Sequence, residues 1–123
     1  MSFDEAAVRL RLGKAVEQWI GTAVHGDATI LRWTRVDRRG GSYATTLFEA
    51  IESERAEYDI YGLYAAEPDE DGDPQEVFGA GSEQIFPDAE AALRHAADIS
   101  GMLGGFVADG LVQDEYREAR KGT

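Results

Sequence analysis

"ILRWTRVDRRGGSYATTLFEAI", residues 30–51, decides how this chain is read. Two runs rich in β-branched and aromatic residues flank Gly40-Gly41. A Gly-Gly pair between such runs is a two-residue hairpin signal, because these turns need left-handed backbone that glycine adopts without strain. Folding the chain there sets Trp33 opposite Phe48, Arg32 opposite Glu49, Leu31 opposite Ala50 and Ile30 opposite Ile51. An aromatic pair, an ion pair and two apolar pairs agree on the register, and each contributes about 0.2–1 kcal/mol.

On the N-terminal side, Val8, Leu12, Ala15, Val16, Trp19, Ile20 and Ala23 recur at spacings of three and four, which predicts one helix over Phe3 to Ala23. Arg9, Lys14 and Glu17 fall on its polar face. On the C-terminal side, Glu54-Arg55-Ala56 turns the chain into a third strand, Tyr58 to Ala65, with Leu63 set opposite Leu47 or Phe48. A fourth short strand is expected over Glu76 to Ala80. Pro87-Asp88 opens a helix burying Ala89, Ala92, Leu93, Ala96 and Ile99. After Ser100-Gly101 a last helix is expected to carry Leu103, Phe106, Val107, Gly110 and Leu111, followed by a charged tail from Asp114 to Lys121. The expected fold is α+β: an N-terminal helix, an antiparallel meander of three to four strands, and two C-terminal helices packed on one face.

At 123 residues and 43% hydrophobic, the chain suits a single globular domain over residues 1–123 that buries about two-thirds of its unfolded surface. Without cysteine it forms neither disulfides nor thiolate metal sites, which favours a reducing compartment. "MSFDEAAVRLRLGK" has no basic leader followed by an apolar run, and no window approaches the roughly 20 apolar residues of a membrane span. The expected setting is the cytoplasm.

Charge is unevenly placed. Against a net −12 for the whole chain, residues 1–39 carry +2, residues 94–123 carry −1, and residues 40–93 hold Arg55 alone against 14 acidic residues. Such a field repels phosphate backbones and anionic membranes, so direct nucleic-acid or lipid-surface binding is disfavoured and a basic protein partner is favoured.

The acidic residues form two groups. "AAEPDEDGDPQEVF", residues 65–78, contains Glu67, Asp69, Glu70, Asp71, Asp73 and Glu76, and the second group is Glu52, Glu54, Glu57 and Asp59. Asp69, Asp71 and Asp73 match the first, third and fifth positions of an EF-hand loop. That motif needs glycine at the sixth position and a bidentate carboxylate at the twelfth, where this chain has Pro74 and Ala80. No metal site is therefore expected, and a hydrated turn rich in turn formers is the simpler reading of the loop. If the strands run up, down and up, the loop emerges beside Arg38 and Arg39 and the second group lies at the other end of the sheet.

Catalytic motifs are thin. His25 and His95 read as a loop and a helix-surface residue, and "GAGSEQ" at residues 79–84 lacks the helix-opening context of a dinucleotide fingerprint. Neither a cofactor nor catalysis is expected. Tyr61 beside carboxylates has the composition of an interface. In size and charge the chain is comparable with immunity proteins, nucleic-acid mimics and phage-encoded inhibitors, which occlude basic surfaces of toxins, nucleases or nucleic-acid-binding proteins. The alternatives are a small-ligand or catalytic pocket between helix and sheet, lined by Trp19, Trp33, Phe48 and tyrosines, and an acidic secretion chaperone. A homodimer is compatible with either class.

Overall fold

The computed structural model describes residues 1–121. Its elements are helix α1 (Phe3–Arg11), strands β1 (Val16–His25), β2 (Ala28–Arg39), β3 (Ser42–Ile51) and β4 (Ser82–Phe86), helix α2 (Ala89–Ser100), strand β5 (Phe106–Ala108) and helix α3 (Val112–Lys121). The architecture is α+β, with an antiparallel sheet of five strands in the order β4-β3-β2-β1-β5.

The central hairpin holds the expected register over ten pairs, from Ile30 opposite Ile51 to Arg39 opposite Ser42. Gly40 takes φ +64°, while Gly41 stays outside the left-handed region, so one of the two glycines supplies the required conformation. Trp33 and Phe48 are buried, their ring centroids 5.5 Å apart and their planes tilted by 31°.

The long N-terminal helix is corrected. A capping box joins Ser2 and Glu5, α1 runs for nine residues with Ala6, Ala7 and Leu10 buried, and Gly13 at φ +82° follows its end. Val16 to His25 then pairs with β2 as β1, with a bulge between Trp19 and Gly21. Helical and strand spacings coincide over this apolar run, and the open edge of the β2–β3 hairpin decides between them.

Downstream, a 3₁₀ turn at Glu54–Glu57 leads into the expected third strand, Tyr58 to Ala65, which is instead a second 3₁₀ turn at Ile60–Gly62 followed by isolated bridges of Tyr64 to Glu76 and Ala65 to Ala50. The Asp59 carboxylate accepts from the Tyr61 amide at 3.0 Å and holds the second turn. Glu76 to Ala80 is a turn rather than a strand, and β4 follows it, paired with Tyr43 to Leu47. α2 matches its expected span: Asp88 caps it, Gly101 ends it at φ +78°, and Ala89, Ala92, Leu93 and Ala96 are buried, while Ile99 is half-buried and Ala97 is buried in the last turn. The glycine-rich segment expected as the last helix is a loop and β5, and the expected charged tail is α3, which buries Val112, Gln113 and Tyr116.

The two C-terminal helices lie on opposite faces of the sheet. Strand parity puts Val36 and Trp33 on different faces. α1 and α2 cover the first with Val16, Val36, Tyr43 and Phe106, where Thr45 donates to the Ala92 carbonyl at 2.7 Å. α3 and the 3₁₀ turns cover the second, around Leu31, Trp33, Phe48, Ile60, Leu63 and Val77. Among the described residues no helix is long and apolar enough to cross a membrane.

Candidate functional site

The acidic loop stands on a short stem. Ala66 N–H donates to the Glu49 carbonyl (2.8 Å), Ile51 N–H to Tyr64 (2.9 Å), Ala65 N–H to Gln75 (2.8 Å) and Val77 N–H to Leu63 (2.9 Å). Leu63, Ala65 and Val77 are buried beneath it. Within the loop, Asp69 Oδ1 accepts from the amides of Asp71 (2.9 Å) and Asp73 (2.8 Å), and Gly72 at φ +82° makes the reversal. This Asx turn explains why carboxylate oxygens of Asp69, Asp71 and Asp73 come within 4.8 Å of one another.

Glu67, Glu70, Asp71, Asp73 and Glu76 are exposed and Asp69 is half-buried. Among the described residues none of the six has a cationic side chain within 4.0 Å, and the same holds for Glu54, Glu57 and Asp59. Glu52 differs: it accepts from the Tyr116 hydroxyl at 2.7 Å and lies 3.9 Å from Arg120. Burial and this bond to a carboxylate push the Tyr116 phenol up to about 12.

The two acidic groups are rooted at the same end of β3, not at opposite poles. The second group departs directly after Ile51, and the loop's stem bridges Ala50. Arg38 and Arg39 sit at the far hairpin and leave the loop unneutralised. Arg39 pairs with Asp37 and Glu83, each at 2.8 Å, and Arg38 donates to the carbonyls of Gly40 and Arg11.

Tyr61 is turned inward. Its ring stacks on Phe78 at 5.3 Å and meets Trp33 edge-on, and its hydroxyl donates to Glu17 Oε1 at 2.8 Å. The exposed tyrosines are Tyr58 (77%) and Tyr64 (59%). Glu17 is fully buried, accepts a second bond from the Gly110 amide at 2.8 Å, and lies 3.9 Å from Arg35. Burial raises its carboxyl above the ordinary range against the lowering effect of both bonds, and burial with the Glu17 charge raises the Tyr61 phenol likewise. The helical reading of Phe3 to Ala23 hid Glu17 by placing it on a solvated face.

Trp33 and Phe48 are 0% and 3% exposed, and Phe48 lines a cavity of about 380 Å³ with Arg35, Arg39, Thr46, Phe78 and Glu83. Trp19 and Tyr116, edge-on at 5.8 Å, line a groove of about 460 Å³ between α3 and the β1–β2 hairpin. His25 is exposed, and His95 rests against Phe86 at 5.2 Å. No family model, no curated protein and no solved structure matches this chain.

Proposed function

We propose that this chain is a non-enzymatic acidic binding protein that covers a basic surface of a partner protein, acting in the cytoplasm. The observation that supports the reading is the set of unneutralised carboxylates rooted at one end of β3, displayed on a loop whose shape is fixed by its own hydrogen bonds. Self-repulsion among them opposes folding, and a basic partner relieves it on binding. Tyr58 and Tyr64 lie exposed in the same part of the chain and add the aromatic area that interfaces favour. The partner's chemistry is that of a toxin, nuclease or nucleic-acid-binding protein, with a groove shaped for phosphates. Nucleic acid itself and anionic membranes are repelled by the same field.

The test is capture from the source lysate by the parental protein and by a variant carrying Asp69→Asn, Glu70→Gln, Asp71→Asn and Asp73→Asn. The expected result is a basic protein retained by the parent, released by salt and lost by the variant. Equal retention by a folded variant would count against the reading. It would direct attention to the groove at Trp19 and Tyr116.

A further inference from the structure

The other end of the molecule carries the opposite sign. Arg9 of α1, Lys14 in the turn after it, Arg35, Asp37 and Arg38 of β2, and Asp109 just beyond β5 line a cavity of about 410 Å³. Four cations against two carboxylates make its lining net positive in a chain of net charge −12. Two of the cations are engaged: Arg35 by Asp109, and Arg38 by the carbonyls of Gly40 and Arg11. Arg9 and Lys14 are not. Among the described residues neither side chain has a hydrogen-bond or ion-pair partner, and the Nε of Arg9 is buried with no acceptor.

A buried guanidinium donor without an acceptor is costly, so an acceptor brought from outside is stabilising there. The forked guanidinium of Arg9 and the mobile ammonium of Lys14 together suit an oxygen-rich anion, which the first meets in a plane and the second as a point charge. The volume falls within the range of small-molecule sites, and Asp37 and Asp109 supply acceptors for hydroxyl groups beside the anion.

We propose that this cavity binds a small ligand bearing an oxyanion, a phosphate ester or a carboxylate, held by Arg9 and Lys14. It is separate from the acidic surface, and either site can exist without the other. Melting temperature and calorimetric titration would be followed with inorganic phosphate, glycerol phosphate and succinate, against sodium chloride at matched ionic strength. At least one probe is expected to raise the melting temperature beyond chloride, as a ligand selective for the folded state must. Phosphate-only or succinate-only binding identifies the source of the anion, and binding of both identifies the shared chemistry. Lys14→Glu, at an exposed position, is expected to weaken binding about tenfold or more, and Lys121→Glu to leave it unchanged. The proposal is overturned if no probe exceeds chloride, or if folded Lys14→Glu and Arg9→Gln proteins bind as the parent does.

Discussion

The Tyr61 hydroxyl donates to Glu17 Oε1 at 2.8 Å, and the Gly110 amide meets the same oxygen at 2.8 Å. Three distant parts of the chain, β1, the second 3₁₀ turn and the β5–α3 junction, therefore converge on one buried carboxylate. Its second oxygen has no hydrogen-bond partner, only Arg35 at 3.9 Å.

Burial raises the Glu17 carboxyl above its ordinary 4.5 in the folded protein. Through the window from that value up to the folded one, the folded state keeps a proton that the unfolded chain has released. The contribution of Glu17 to stability therefore falls as pH rises through this window, and is least favourable above it. Glu17→Gln keeps an acceptor for Tyr61 and Gly110 without the charge. The melting temperature of the variant relative to the parent is expected to climb as pH rises above 4.5. A difference that is flat or shrinks with pH would contradict the assignment.

The central hairpin makes a second expectation. Phe48 is 3% exposed against Trp33, so Phe48→Ala should cost about 3–5 kcal/mol. Arg32 and Glu49 pair at 3.0 Å with side chains 31% and 45% exposed, so Arg32→Ala should cost under about 1 kcal/mol. Denaturant unfolding of the two variants measures both, and equal costs would mean that Phe48 does not belong to the core.

Where the sequence was legible, one local signal specified the structure. Gly40-Gly41 set a ten-pair register and Asp88 with Gly101 bounded α2, because turn and cap chemistry act within a few residues. From Val16 to Ala23 the apolar spacing fits a helix and a strand alike, and the pairing that decides between them comes from the next strand, β2, across the turn at Gly26-Asp27. α3 was missed for a related reason: its buried residues are only Val112, Gln113 and Tyr116, and Gln113 bonds the Ile60 amide and the Ala56 carbonyl. The acidic residues were visible as composition, but their common root at Ala50 depends on a chain path with almost no strand in it.

Calcium is expected to have no specific effect. Asp69 Oδ1 is committed to two backbone amides, and Pro74 and Ala80 replace the two residues that give an EF-hand its turn and its bidentate ligand. Millimolar calcium should then move the melting temperature no further than sodium chloride of equal ionic strength. A calcium-specific rise of several degrees that Asp71→Asn abolishes would reverse this expectation.

Association kinetics give the sharpest reading of the acidic surface. A field of this kind acts mainly on the encounter rate, and its range shrinks from about 10 Å at 0.1 M salt to about 3 Å at 1 M. Binding of the captured partner should slow markedly as salt rises, with a smaller change in dissociation. Two variant sets separate the two groups: Asp69→Asn, Glu70→Gln, Asp71→Asn and Asp73→Asn in the loop, and Glu54→Gln, Glu57→Gln and Asp59→Asn in the turns. Glu52 stays in both, since its bond to Tyr116 ties it to the packing of α3. Asn at position 69 retains a side-chain oxygen for the Asp71 and Asp73 amides, so the loop should keep its shape while losing its charge. Because both groups start from the same end of β3, each set should slow association and the combined set should slow it further. Parental rates in both folded sets would show that the partner does not dock on this surface.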